Sequence, residues 1–435
     1  MKGKLFAYRN YLSYFLLTLL FAGPVIRING EQLILLNILE RKFVFFGIVF
    51  MPQDFYLLVL AMLIFIVFIV LFTVVFGRVW CGWACPQTIF MEMVFRKIEY
   101  WIEGDAQKQR KLNASPLTAE KFFKKGLKHT IFLLISFLIA NTFLAYIIGS
   151  DGLLKIATEP VGNHIIGFIS IWLFTLTFYG VFAYVREIVC THICPYGRLQ
   201  GVLLDKKSLV VAYDYNRGEP REKIRKGQKT DAGDCIDCGL CVSVCPTGID
   251  IRKGTQLECI NCTLCIDACD MVMEKIDRPI RLIGFKSEEQ ITTGGKFSFS
   301  KRIYGYAAVL LVLISALTTM LFSRSDIGTT VLRAGGTLYQ MRNDGTVSNL
   351  YNAELINKTT KDMTFEIKTT DPSARIEFIT KKKNLQKGEA AKLTFFVVQP
   401  QSTIKNYKTK IGINVVSDGK VLSETETTFI APPNL

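Results

Sequence analysis

Two stretches of this chain repeat one cysteine spacing, and no other feature restricts the fold as much. Residues 235–246 read CIDCGLCVSVCP and residues 259–270 read CINCTLCIDACD. Cys235, Cys238, Cys241 and Cys245 follow C-x2-C-x2-C-x3-C-P. Cys259, Cys262, Cys265 and Cys269 repeat the spacing, with Asp270 in place of the proline. Three closely spaced thiolates wrap one 4Fe–4S cube, and the fourth, set further on, points away and ligates the other cube. The pattern predicts two clusters. The first uses Cys235, Cys238, Cys241 and Cys269, and the second uses Cys259, Cys262, Cys265 and Cys245. Zinc normally takes two C-x2-C pairs across a longer loop and has no use for eight thiols at this spacing. All 12 cysteines fall in four short clusters, which argues for thiolate ligation in a reducing compartment and against a secreted disulfide scaffold. A fold stapled by iron and sulfur needs only one cluster, so two adjacent ones point to one-electron transfer. The carboxylate of Asp270 beside a cluster is expected to lower its potential.

The other four cysteines form two matched pairs, CGWACP at 81–86 and CTHICP at 190–195. Both read C-x3-C-P. On a helical backbone Cys81 and Cys85 share one face, as do Cys190 and Cys194, and each proline fixes where its helix breaks. Two such segments side by side would gather four thiols. Four soft ligands can hold Cu(I), zinc or another iron–sulfur centre, or work as a redox dithiol pair. Buried packing cysteines are the plain alternative, and the matched duplication favours function. His192 lies inside the second pair and is a further ligand candidate. His129 and His164 fall at opposite ends of apolar runs and read as interfacial or hydrogen-bonded residues.

Half of the 435 residues are hydrophobic, 32 are Phe, and mean hydropathy is +0.29. That is too apolar for an ordinary soluble protein and excludes disorder. Yet 20% of residues are charged and the net charge is +15, so substantial aqueous parts are expected. Phe55–Phe76 carries no charge over 22 residues, near the ~20 needed to cross hydrocarbon. Similar runs extend from Thr130 to Gly149, Ile165 to Val185 and Ile303 to Phe322. Tyr11–Ile26 is read as a retained first span, because no small-residue cleavage pattern follows it. Residues 33–50 are apolar around Glu40-Arg41-Lys42 and are read as an interfacial or re-entrant segment outside the membrane. Five spans place the termini on opposite sides. Ten Lys/Arg occur in 78–129 and nineteen in 186–302, against three in 27–54 and one in 150–164. By the positive-inside rule the N-terminus and the cysteine-rich segment are cytoplasmic and the tail is external.

The tail lacks cysteine and reads in period-two runs at Thr364–Thr369, Arg375–Thr380, Ala391–Val398, Lys410–Val416 and Glu424–Ile430. Turn signals separate them at Asn343-Asp344-Gly345, Asp371-Pro372 and Ser417-Asp418-Gly419. A small β-sandwich is expected, with a docking or structural role. The basic stretch Arg217–Lys229 suits a solvated loop near anionic lipid better than nucleic-acid binding. No phosphate loop, dinucleotide fingerprint or flavin motif stands out.

Taken together, GRVWCGWACPQT (77–88), THICPYGRLQ (191–200), MPQDFYLL (51–58), the cysteine repeats at 235–269 and a tail beginning near Arg333 resemble the cytochrome c oxidase accessory protein family known as CcoG, FixG or RdxA. The resemblance covers nearly the whole chain. It implies a bacterial inner-membrane, multi-pass protein that reduces Cu(II) to Cu(I) for assembly of the cbb-type cytochrome oxidase. The implied partners are that oxidase or its copper-delivery proteins, with the electron donor left open, and Cys81, Cys85, Cys190 and Cys194 become the redox or copper site. Membrane ferredoxins of the NapH and NosR type share both cysteine patterns but carry electrons from quinol. The sandwich tail favours the first group. A non-redox assembly scaffold is the third reading. The expected fold is a multi-domain membrane protein: a five-span α-helical membrane domain, a bacterial-type two-cluster ferredoxin module (α+β) and a C-terminal all-β immunoglobulin-like sandwich. Residues 1–205 hold four spans and both C-x3-C-P motifs. Residues 206–290 form the cytoplasmic ferredoxin module, 291–324 the fifth span and 325–435 the periplasmic sandwich.

Overall fold

The computed structural model describes residues 3–432 except 29, 51, 224–231, 337, 360, 381, 405 and 418. The basic stretch Arg217–Lys229 from 224 onward, and Asp418 of the last turn signal, lie outside the described residues. The chain divides into two compact units, residues 1–24 with 60–315, and residues 25–59 with 316–435.

Among the described residues, four helices are long and apolar enough to cross a bilayer: Phe55–Phe76, Ala119–Ile148, Ile165–Val185 and Lys301–Phe322. Side chains such as Phe65, Leu134, Leu173 and Leu311 are exposed on them, as lipid-facing residues would be. The first expected span, Tyr11–Ile26, is met by a helix shifted toward the N-terminus, Lys4–Ala22. It is not among the four. It carries Arg9, which is 2% exposed and faces protein.

In the first unit, the Ala119–Ile148 and Ile165–Gly180 helices pack together around three rings. Phe95 sits 4.8 Å from Phe132 and stacks on Phe182 at 4.6 Å, measured between ring centroids. Below this core, carboxylates and bases interlock. Glu99 pairs with Arg186 at 2.6 Å, Arg96 pairs with Glu187, and Glu103 pairs with Lys125 at 2.9 Å and Lys128 at 3.1 Å. Glu99 and Arg96 follow the first C-x3-C-P motif, whereas Arg186 and Glu187 precede the second, so these pairs tie the two motif segments together. Strands Val210–Tyr213 and Ile283–Lys286 pair antiparallel on either side of the cysteine repeats in sequence. Val211, Ile266, Met273, Leu282 and Ile283 form the buried centre beneath them.

In the second unit, residues 33–50 form a three-stranded antiparallel sheet, Ile34–Asn37, Lys42–Phe45 and Ile48–Phe50. It buries Leu35, Val44 and Val49. A short apolar run does not reveal strand or helix by periodicity alone, and here the turn at Glu40-Arg41 sets a meander. The tail is an all-β sandwich. One sheet runs Arg375–Phe378, Ala390–Pro400, Thr346–Asn357, Ile327–Arg333, and another runs Glu366–Thr369, Lys408–Ser417, Lys420–Ile430. Tyr351, Phe395, Val397, Ile413 and Phe429 fill the space between them. Within this unit the buried Asp54 carboxylate pairs with Arg324 at 2.7 Å and Lys358 at 2.6 Å.

Candidate iron–sulfur and thiol site

The two cysteine repeats fold alike. In CIDCGLC, Asp237 and Gly239 adopt positive φ (52° and 69°), and in CINCTLC, Asn261 and Thr263 do the same at 52° and 67°. Each left-handed pair curls three cysteines around one point before a helix starts, Leu240–Ser243 in the first copy and Leu264–Lys275 in the second. Threonine is costly in that conformation. The burial of Thr263 and a hydrogen bond from its hydroxyl to Cys262 O accompany it.

Two cavities result. One is lined by Cys235, Cys238, Cys241 and Cys269. The other is lined by Cys259, Cys262, Cys265, Cys245 and also Cys241. Cys245 and Cys269 each stand with the three cysteines of the opposite run. Among the described residues, no three His, Cys, Asp or Glu are grouped closely enough to hold a single metal ion. The cysteines instead stand as two sets of four around two separate cavities. Burial pushes the Cys259 and Cys269 thiols up to about 12 and holds Cys262 and Cys265 high as well. These thiols are therefore neutral until a cationic iron centre replaces their protons. The donor set fits two 4Fe–4S clusters. Asp270, beside Cys269, accepts a hydrogen bond from Arg281 N–H at 2.7 Å and pairs with the Arg281 guanidinium at 3.5 Å. Its field on the first site is thereby softened relative to a bare carboxylate.

The two C-x3-C-P motifs also share a backbone form, though not the continuous helix expected. Cys81 lies in the short helix Val79–Trp83 and Cys190 in the π-helical turn Val189–Ile193. The chain then extends at the second cysteine, Cys85 (φ −63°, ψ 125°) or Cys194 (φ −69°, ψ 113°). Each of these N–H groups bonds a carbonyl five residues back, Cys85 to Trp80 at 2.9 Å and Cys194 to Val189 at 2.8 Å. Pro86 and Pro195 open the next helices at the N1 position, where a missing N–H does no harm. The four thiols lie within electrostatic reach of one another, although among the described residues no three are close enough together to hold a single metal ion. Cys85 acts electrostatically on Cys81, Cys194 on Cys85, and Cys85, Cys81 and Cys194 on Cys190. Burial raises Cys81 and Cys85 and pushes Cys190 up to about 11.

The Cys81–Gly82 segment also touches the ferredoxin module. A Cβ on Gly82 would sit 2.4 Å from Ile260 O and 2.9 Å from the Cys262 backbone, so glycine permits the contact. Cys81 shares a buried cluster with Ile260, Cys262 and Leu264. Asp267 accepts from the N–H groups of Leu5 at 3.2 Å and Phe6 at 2.7 Å, fastening the start of the N-terminal helix to the second cysteine helix.

Three buried polar residues here escaped sequence reasoning. Arg9 Nε donates to Gly82 O at 2.8 Å. Arg78 Nε donates to Gln200 Oε1 at 2.8 Å, and the Cys81 thiol donates to the same oxygen at 3.3 Å. Arg78 and Gln200 stand within the quoted motif stretches, where their polarity beside cysteines was the available signal. Arg9 looked only like a flanking charge. The histidines lie apart from any thiol set. His129 Nδ1 bonds the Tyr179 hydroxyl at 2.9 Å, His164 bonds Glu159 at 2.7 Å, and the exposed His192 bonds Thr191 at 2.7 Å.

Comparison with known proteins agrees with this architecture. A family described as a 4Fe-4S dicluster domain matches residues 185–288, and a 4Fe-4S binding domain family matches 58–105. A third, described as an IG-like fold at the C-terminal of FixG, matches 317–432. Protein RdxB of Cereibacter sphaeroides is 37% identical over 352 residues, covering 78% of this chain and 73% of its own length. The nitrogen fixation protein FixG of Rhizobium meliloti is 33% identical over 378 residues, covering 78% of this chain and 71% of its own length. A crystal structure of a FixG-related protein from Vibrio parahaemolyticus aligns with 26% of this chain and 100% of its own length, at 20% identity and a TM-score of 0.22. With two relatives above 30% identity across most of their length, this chain belongs to the FixG/RdxA family of iron–sulfur electron-transfer proteins.

Proposed function

We propose that this protein passes single electrons to the four C-x3-C-P thiols at a cytoplasmic membrane face, where Cu(II) is reduced to Cu(I) for assembly of a cbb-type cytochrome oxidase. The observation that carries the reading is the contact of Gly82 with Ile260 and Cys262, which leaves no intervening layer between one thiol pair and the second cysteine run. Bound 4Fe–4S clusters supply one-electron transfer. Cys235, Cys238, Cys241 and Cys269 would hold the first, and Cys259, Cys262, Cys265 and Cys245 the second. Cys238 is exposed, and its edge offers a docking point for a soluble one-electron donor. Each Cu(II) would gain one electron supplied in the end by that donor, with clusters held by the eight cysteines as the carriers between them. Cys81, Cys85, Cys190 and Cys194 suit the product, since Cu(I) prefers thiolate ligands.

The loop charges support a topology with the N-terminus and 186–302 in the cytoplasm and the sandwich in the periplasm of a bacterial inner membrane. On this reading Lys4–Ala22 joins the four apolar helices as a fifth span.

The test is anaerobic purification followed by metal analysis and EPR. About eight non-haem irons per chain are expected from two four-iron sites. Adding Cu(II) to the chemically reduced protein should yield Cu(I) while the reduced-cluster signal disappears. Clusters that stay reduced in the presence of Cu(II), yet fill from added quinol, would contradict copper reduction and support a quinol-linked carrier of the NapH and NosR type.

A further inference from the structure

The two cysteine sites have different charged surroundings. Around the first, every nearby arginine is matched by a carboxylate. Arg252 pairs with Asp250 at 2.8 Å and with Asp237. Asp234, next to Cys235, pairs with Arg217 at 2.6 Å and Arg278 at 2.8 Å, and Asp270 pairs with Arg281 at 3.5 Å.

The second site has two arginines without such partners. Arg9 is 2% exposed and Arg78 is 5% exposed, and among the described residues neither pairs with a carboxylate. Arg9 uses Nε on the carbonyl of Gly82, the residue seated on Cys262, and both its amino groups are buried with no hydrogen-bond partner. Arg78 reaches Gln200 and the carbonyl of Leu257, two residues before Cys259. The charge of Arg9 bears on Cys262 and that of Arg78 on Cys259. The carboxylate of Glu92 bears on Cys262 and also faces Arg9 electrostatically, but its ion pair is with Arg96 at 3.2 Å. Asp267 spends its carboxylate on the N-terminal helix. A buried guanidinium with free donors is costly unless an anion faces it.

Resting on the electron-transfer reading above, we propose that Arg9 and Arg78 hold the second cysteine site at a higher reduction potential than the first, so that electrons collect beside Cys81 and Cys85. An added electron is an added negative charge. In a low-dielectric interior two cations outside any ion pair favour it more strongly than balanced ion pairs do. The arginines act through the field at the second site and hold no ligand themselves.

The experiment is a mediator-poised EPR titration of the anaerobic full-length protein. Two separate reduction waves are expected. Arg9→Gln should move the higher wave downward by tenfold or more in the reduction equilibrium, ~59 mV for one electron, and leave the lower wave in place. Arg9→Lys, which keeps the charge, should restore most of the shift. Arg78→Gln should move the same wave and provides the second arm if Arg9→Gln loses iron. Waves at wild-type positions in an iron-replete glutamine variant would overturn the proposal, as would movement of the lower wave alone. The titration uses soluble mediators and no copper, so it decides this point independently of whether the protein reduces Cu(II).

Discussion

Gly82 is the residue on which the contact between the thiol pair and the second cysteine run depends. A methyl group there would meet Ile260 O at 2.4 Å and the Cys262 backbone at 2.9 Å. Backbone atoms cannot swing aside as a side-chain end can. Gly82→Ala is therefore expected to cost ~1–3 kcal/mol by overpacking and to disturb the second cysteine run first. Iron analysis and EPR should show loss from the second site with the first retained; full iron content and wild-type spectra would mean the contact is looser than described. At this scale the sequence was partly legible. The cysteines announced their chemistry by spacing, because cluster ligation demands it. Gly82 and Arg9 did not, because their importance comes from what a distant segment brings against them. The left-handed backbone at Asp237, Gly239, Asn261 and Thr263 has a repeated position in both motifs, but threonine there gives no advance sign of positive φ.

Among the elements, the long apolar helices were readable from length and lack of charge, and Phe55–Phe76 appears with its expected bounds. The broken helices at the C-x3-C-P motifs were not, since both sequences tolerate a continuous helix up to the proline. Only the five-residue closures at Cys85 and Cys194 show how each helix ends at the second cysteine. In the tail, Thr346–Asn357 was missed as a strand although it is the longest. Its buried face includes Asn349, which breaks the hydrophobic alternation. That side chain donates to Ile430 O at 2.8 Å and accepts from Ile430 N–H at 3.0 Å, joining the two sheets. Asn349→Ala leaves both backbone groups buried and unpaired, and is expected to destabilise the sandwich by ~1–3 kcal/mol. Denaturation of the full-length protein should show a lower transition for the β signal; an unchanged transition would mean that the strand termini tolerate water.

At the scale of the whole molecule, the proposed topology sets the cysteine repeats in the cytoplasm and the all-β tail outside. The asymmetry of basic residues supports it: nineteen in 186–302 against one in 150–164. Reporter fusions after Gly227 and after Gly345 should give opposite signals, and matching signals would contradict the topology. On the proposed function, electrons leave at the Cys81 and Cys85 thiols, beside Gly82 where it packs on the second cysteine run. The most direct measurement is anaerobic Cu(II) reduction by the Cys81→Ser/Cys85→Ser protein. The eight ferredoxin cysteines are separate from this pair, so the variant should insert in the membrane and retain about eight irons. It should nevertheless lose most Cu(I) production, and the Cys190→Ser/Cys194→Ser protein should match it, as residues acting in one unit do. Wild-type turnover by both variants at normal protein levels would contradict the account and leave these four cysteines as packing residues.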